Sequence, residues 1–276
     1  MPGWGHQLPA GQVLWDMREL GLAATELGPV GFLPGAPRER AELLAAYGLR
    51  AAGGFLPVVL HNPGADPLPA VARVLDGLVA VGAGVLVLAA ATGSTGYDTR
   101  PALDEADWRV LLGNLDRLAA HTAAAGVTAT LHPHAGTAVE RPDEVRRVLE
   151  GSEVALCLDT GHLLVGGSDP VALAREVPGR VGHVHLKDAD GALTRQVRAG
   201  ELGFAEAVRR GMFRPLGEGG VDIAGLVAAL ERAGYGGWYV LEQDAVLAAE
   251  PEGEGPAADV RTSLAFLRGL ASGAAP

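Results

Sequence analysis

Seven short apolar runs with β-type composition, each separated from the next by an amphipathic stretch, constrain this chain more than any other feature. The runs are Ala23 to Pro29, Arg50 to Leu60, Val85 to Ala90, Thr128 to His132, Val154 to Asp159, Val181 to Lys187 and Trp238 to Glu242. Between them, Pro37 to Tyr47, Pro67 to Val81, Leu103 to Ala124, Pro142 to Glu150, Pro170 to Val177 and Asp222 to Ala233 repeat apolar residues at helical spacing. Asp66-Pro67, Arg141-Pro142 and Asp169-Pro170 place proline in a first helical turn, where its missing N–H costs nothing. Strands that are apolar throughout suit a parallel sheet covered by helices, so the class is α/β. Eight such units close a (β/α)8 barrel of about 250 residues. The chain has 276 residues, yet the only candidate for the missing strand, Gly3-Trp4-Gly5, is too short. The expectation is a single-domain TIM barrel over residues 1–276 with a truncated or missing first strand. A doubly wound open sheet is the alternative, but no G-x-G-x-x-G follows an early strand.

Charge narrows the partners. With 33 Asp and Glu against 22 Lys and Arg, the net charge of −11 gives phosphate backbones and anionic lipid no general attraction. No nucleic acid and no membrane are expected. The longest apolar run, Val79 to Ala91, is shorter than the roughly 20 residues of a spanning helix. Met1 to Gln12 shows no basic stretch followed by an apolar one, and the lone Cys157 fits a reducing compartment, so a cytoplasmic location is expected. The longest connection, Ala189 to Gly220, should hold one short helix near Phe204 to Arg210, and Val260 to Leu270 a final one.

In a parallel barrel all strands end on one face, so residues at their C-terminal ends converge. Those ends carry Glu26, His61, His132 with His134, Asp159 with His162, His185 with Lys187, and Glu242 with Asp244. Buried carboxylates and imidazoles need a partner, and a divalent cation is the simplest shared one. Asp159, His185 and Glu242, with His132 in the corresponding place, form a ligand mix suited to Mn, Co, Fe, Zn or, less well, Mg. Taken singly, such an Asp is as readily a helix cap and such a His a core group. Of His183 and His185, only one is expected to face the interior. Lys187, the only lysine among 22 cationic side chains, is placed beside His185 as an acid, a base or an enolate-stabilising group. The alternative for it is a solvated pair with Asp188 or Asp190. Gly217 to Asp222 reads as a turn capping a helix, with anion binding as the alternative.

Asp159-Thr160-Gly161-His162, His183-Val184-His185-Leu186-Lys187-Asp188, the glycine-rich turn at 217–222 and Gly234 to Asp244 resemble, in order, motifs of the xylose isomerase-like barrel superfamily. That superfamily includes sugar isomerases and epimerases, endonuclease IV and inosose dehydratase. Thr25 to Pro29, His132 to Thr137 and Glu242-Gln243-Asp244 are most similar to the inosose dehydratase-like subgroup. The resemblance implies one divalent metal ion on Asp159, His185 and Glu242, with His132 or Glu140 as fourth ligand. It also implies that His162 contacts a small-molecule sugar or polyol substrate. The matching chemistry is enolisation, followed by reprotonation (isomerisation or epimerisation) or by loss of a β-hydroxyl (dehydration). Lys187, His162, Glu140 and His134 are the expected proton carriers, and Glu26, His61 and Trp4 are expected to bind substrate. Two readings compete with this one: an endonuclease IV-like phosphodiesterase, against which the acidic charge argues, and a non-catalytic binding protein on a decayed barrel. An interrupted barrel closure leaves room for a homodimer.

Overall fold

The computed structural model describes residues 4–272 and divides into two compact units, Ala10–Cys157 and Leu158 onward together with the residues up to Pro9. The N-terminal unit runs α1 (Ala10–Glu19), β1 (Ala24–Glu26), α2 (Pro37–Ala46), β2 (Arg50–Val58), α3 (Leu68–Ala80), β3 (Val85–Ala90), α4 (Glu105–Ala123), β4 (Thr128–Leu131), α5 (Pro142–Gly151) and β5 (Ala155–Asp159), whose last two residues belong to the other unit. Its strands pair in parallel and in sequence order, with Leu86 of β3 opposite Gly54 of β2 and Ala129 of β4. The core is made by strand residues Leu86, Leu88 and Leu131 together with Leu78 of α3 and Leu111, Leu115 and Leu118 of α4, all fully buried. Each buried leucine contributes about 1.5–3 kcal/mol relative to exposure, which is what fixes these helices on the sheet. Asp104 starts α4 by accepting from the N–H groups of Ala106 and Asp107, and Asp107 reciprocates to the Asp104 N–H.

The C-terminal unit contains α6 (Thr160–Gly166), α7 (Pro170–Glu176), β6 (Val181–Leu186), β7 (Asp188–Ala189), α8 (Gly191–Arg198), α9 (Phe204–Arg209), β8 (Phe213–Arg214), α10 (Ile223–Arg232), β9 (Tyr239–Leu241) and α11 (Pro256–Ala271). Here β9 pairs in parallel with β6, and β7 with β8 forms a separate antiparallel ribbon. The seven-stranded sheet has the order β1-β2-β3-β4-β5-β6-β9, so all seven apolar runs are strands in chain order. This is the topology of a (β/α)8 TIM barrel lacking its first strand among the described residues. Gly3 lies outside them. Trp4 and Gly5 are in no strand, and His6 makes only an isolated antiparallel bridge, donating its N–H to the Leu247 carbonyl at 2.7 Å. No described helix is long and apolar enough to cross a membrane.

Three helices escape the periodicity. In α1 only Leu14 is buried, so the apolar stripe is thin. In α6 nearly every residue is buried, which removes the polar face that marks an amphipathic helix. The short α8 is fixed by its cap, Asp190, which accepts from Ala192 N and Leu193 N, and it gives the Ala189 to Gly220 connection two helices where one is expected.

The glycine-rich turn at 217–221 does gather around an anion, and the anion is the chain's own. The fully buried Asp188 carboxylate accepts from the N–H groups of Ala189 (2.9 Å), Gly217 (2.9 Å), Gly219 (2.9 Å) and Val221 (3.0 Å). A methyl group on Gly219 would run into that carboxylate and lie 2.7 Å from the Ala189 nitrogen, neither of which can yield. Gly219→Ala should therefore lower unfolding stability by about 1–3 kcal/mol; an unchanged urea midpoint would contradict this account of the turn.

Candidate active site

In the C-terminal unit, β5, β6 and β9 deliver their terminal polar residues into one cluster. Asp159 divides its two oxygens: Oδ1 accepts from His162 N at 2.7 Å and so caps α6, while Oδ2 lies 3.7 Å from His185 Nδ1 and 3.4 Å from Lys187 Nζ. The cap and site readings of this residue are thus both realised. Glu242 extends the β6–β9 pairing by donating its N–H to the Leu186 carbonyl at 3.0 Å. That places its Oε1 3.1 Å from His185 Nδ1 and its Oε2 2.5 Å from Lys187 Nζ. Asp244 completes the group, with Oδ2 2.9 Å from the same ammonium.

Lys187 is 1% exposed despite its charge. The Thr160 hydroxyl accepts its N–H (2.8 Å) and donates to its carbonyl (2.6 Å), fixing the backbone on both sides. Gly161 leaves the groove for the aliphatic stem: a Cβ there would sit 2.7 Å from Lys187 Cγ. A solvated pair with Asp188 or Asp190 is excluded, because Asp188 is caged by the turn and Asp190 caps α8. Burial penalises the ammonium, but Asp159, Asp244 and Glu242 outweigh that penalty and hold its pKa well above the usual lysine value. Burial likewise pushes Glu242 above the usual carboxylate range, against the opposing pull of His185 and Lys187.

His183 and His185 do not divide between interior and exterior as expected. Both are buried and their ring centroids are 5.3 Å apart, as strand residues two apart share one face. His162, also buried, stacks on Phe204 at 5.8 Å and lies 5.8 Å from Phe213, whose ring is 5.0 Å from Lys187 Nζ. Trp4 meets Phe204 edge-on at 6.3 Å. The sequence gives no sign of this aromatic wall, since α9 and β8 lie within a long connection whose path no local pattern dictates.

In the N-terminal unit, His132 follows β4, donates its N–H to the Leu88 carbonyl at 2.8 Å, and is buried. Its ring lies 5.0 Å from that of His134, and Phe55 flanks both at 6.2 and 6.1 Å. His134 Nδ1 is 2.8 Å from the Ala135 carbonyl, which can only accept, so Nδ1 carries the proton. Glu140 Oε2 accepts from Gly136 N at 2.8 Å and lies 3.2 Å from Arg100 Nε. Arg100 in turn donates to Thr137 O (2.8 Å) and to both oxygens of Glu144 (2.9 and 2.8 Å). This clamp fixes the loop carrying His134. Glu26 ends β1, His61 follows β2, and both are half-buried.

The sequence matches the xylose isomerase-like TIM barrel family over residues 16–270. The chain belongs to that family. Among its relatives, the rhizopine catabolism protein MocC of Rhizobium meliloti is 36% identical over 254 residues, covering 88% of this chain and 77% of the relative. An inosose dehydratase of Geobacillus kaustophilus (strain HTA426) is 34% identical over 257 residues, covering 88% and 83%. A crystal structure of the IOLI protein with a bound zinc atom shares the fold, with a TM-score of 0.70 at 14% identity over 98% of this chain and 95% of that one.

The Arg100 clamp has a pH signature. Burial raises the Glu144 pKa, but the Arg100 hydrogen bond and the N–H groups of Arg141 and Glu140 lower it further, so the net shift is downward. A depressed folded-state pKa stabilises above the unfolded value, about 4.3, and that stabilisation is lost as pH falls through the folded value. The stability difference between wild type and Glu144→Gln should thus be constant near neutrality and shrink in acid; a difference that stays flat in denaturant titrations down to pH 3 would count against the clamp.

Proposed function

We propose that this family member is a metal-dependent enzyme that enolises keto-inositols or related sugars, with dehydration as the leading outcome and isomerisation or epimerisation as the second. One observation carries the reading. Three carboxylates, Asp159, Glu242 and Asp244, gather around one ammonium in the C-terminal unit, beside the buried imidazole of His185. Such a concentration of carboxylates and imidazole favours the binding of a cation. Asp159 Oδ2 and Glu242 Oε1 lie 3.7 and 3.1 Å from His185 Nδ1, so two carboxylates and an imidazole, a donor set suited to a divalent ion, stand side by side. When bound, such an ion supplies Lewis-acid polarisation of a substrate carbonyl. A nitrogen with two carboxylates favours Mn, Co or Zn over Mg.

The remaining roles follow from the residues themselves. His132, at the end of β4, is the preferred fourth ligand, because one oxygen of Glu140 is committed to Gly136 and Arg100. Lys187, held as an ammonium, acts as the acid that protonates the departing β-hydroxyl. His134 carries its proton on Nδ1, which leaves Nε2 as the basic nitrogen for abstraction at carbon. His162, packed against Phe204 and Phe213, orients the substrate, and Glu26, His61 and Trp4 engage its hydroxyls. The dehydratase relative at 34% identity supports the substrate class, and the net charge of −11 disfavours a phosphodiester. The enzyme is proposed to act as a single cytoplasmic domain.

Zinc- or manganese-loaded protein should contain one metal per chain, and His185→Ala should lose it. Incubated with a keto-inositol in deuterium oxide, the wild type should release water and take up deuterium at carbon. Lys187→Met should still exchange deuterium while eliminating water about 100-fold more slowly or worse. Absence of both stoichiometric metal and exchange would overturn the reading.

A further inference from the structure

We infer that Asp244 acts as the counter-ion of Lys187, a positioning residue that keeps the ammonium in place when Asp159 and Glu242 serve a metal. The inference rests on the preceding reading, and charge division motivates it. Lys187 Nζ touches Asp159 Oδ2 at 3.4 Å, Glu242 Oε2 at 2.5 Å and Asp244 Oδ2 at 2.9 Å. Asp159 and Glu242 also address His185 Nδ1, at 3.7 and 3.1 Å, and both belong to the proposed ligand set, whereas Asp244, which pairs with Lys187, lies outside that set. A divalent ion on the first two carboxylates neutralises them and repels a neighbouring ammonium. Asp244 then supplies the attraction that remains, giving one metal–dicarboxylate group and one Lys187–Asp244 pair, each neutral. The rest of the lysine is already fixed: Thr160 holds its backbone, Gly161 accommodates its stem and Phe213 stands 5.0 Å from its head. Only the direction of the last bond depends on a carboxylate, and a displaced ammonium no longer meets the leaving hydroxyl.

Lys187 is the only lysine in the chain, so lysine labelled with nitrogen-15 at Nζ gives a single side-chain signal. In zinc-loaded wild type that ammonium signal should persist at neutral pH, protected from exchange with water by its ion pair. Asp244→Asn should shift it or broaden it beyond detection, and Asp244→Glu should restore it in part. The zinc content of both variants should stay at one per chain. Asp244→Asn should lower kcat on a keto-inositol about 10- to 100-fold with KM changed less than about threefold. An Nζ signal identical in wild type and Asp244→Asn would overturn the inference, as would loss of zinc from Asp244→Asn, which would make Asp244 a ligand. If Asp244→Asn fails to fold, Asp244→Ser and Asp244→Glu carry the same comparison. If wild type binds no zinc, the metal reading fails, while the Nζ comparison in metal-free protein still decides whether Asp244 holds Lys187.

Discussion

An ammonium buried to 1% exposure is sustainable only among carboxylates, and that single requirement organises the C-terminal unit. Lys187 draws the ends of β5 and β9 toward the end of β6, because its partners Asp159, Glu242 and Asp244 come from those segments. Asp159 and Glu242 also converge on His185. A hydrophobic replacement of the lysine would take the shared ammonium from three carboxylates at once, so the cluster is an electrostatic unit rather than a set of independent contacts.

Precision in such a unit has to come from groups outside it. Thr160 and Gly161 sit in the first turn of α6, and α6 is itself capped by Asp159, so one carboxylate serves the cluster with one oxygen and fixes the helix that grips the lysine with the other. Directly after Lys187, Asp188 turns the chain by collecting four N–H groups. Through the β7–β8 ribbon this brings Phe213 up to Lys187 and His162, closing one side of the site with apolar rings. In the N-terminal unit the Arg100, Glu140 and Glu144 clamp plays an equivalent part for the loop of His134. Both units thus use buried or half-buried charged residues to fix the path of a loop beside a cluster of polar side chains.

How far the sequence could be read follows from which interactions are local. The seven strands were legible because a strand covered on both faces is apolar without interruption, and the strand-end rule then located Asp159, His185, Lys187, Glu242 and Asp244. The pairing of His183 with His185 on one face was legible in principle from strand alternation alone. The helices α1, α6 and α8 were not, since a helix buried nearly all round or scarcely at all has no periodic contrast. Arg100 and Glu144 stand 44 positions apart, and Phe204 and Phe213 arrive through an irregular excursion. No spacing announces contacts of that kind; they follow only from the fold.

The glycine-rich turn at 217–221 shows why a motif underdetermines its ligand. Convergent N–H groups favour any anion of suitable size, and free phosphate, a substrate carboxylate and a side chain satisfy them equally well. Here Asp188 reaches them first, because it is covalently tethered one residue beyond Lys187 and so has a high effective concentration at the turn. With the nest filled internally, the turn has no remaining capacity for an exogenous anion, and its glycines are required by the closeness of the carboxylate. The motif's glycines thus report a close internal packing of Asp188 and not a phosphate-binding loop.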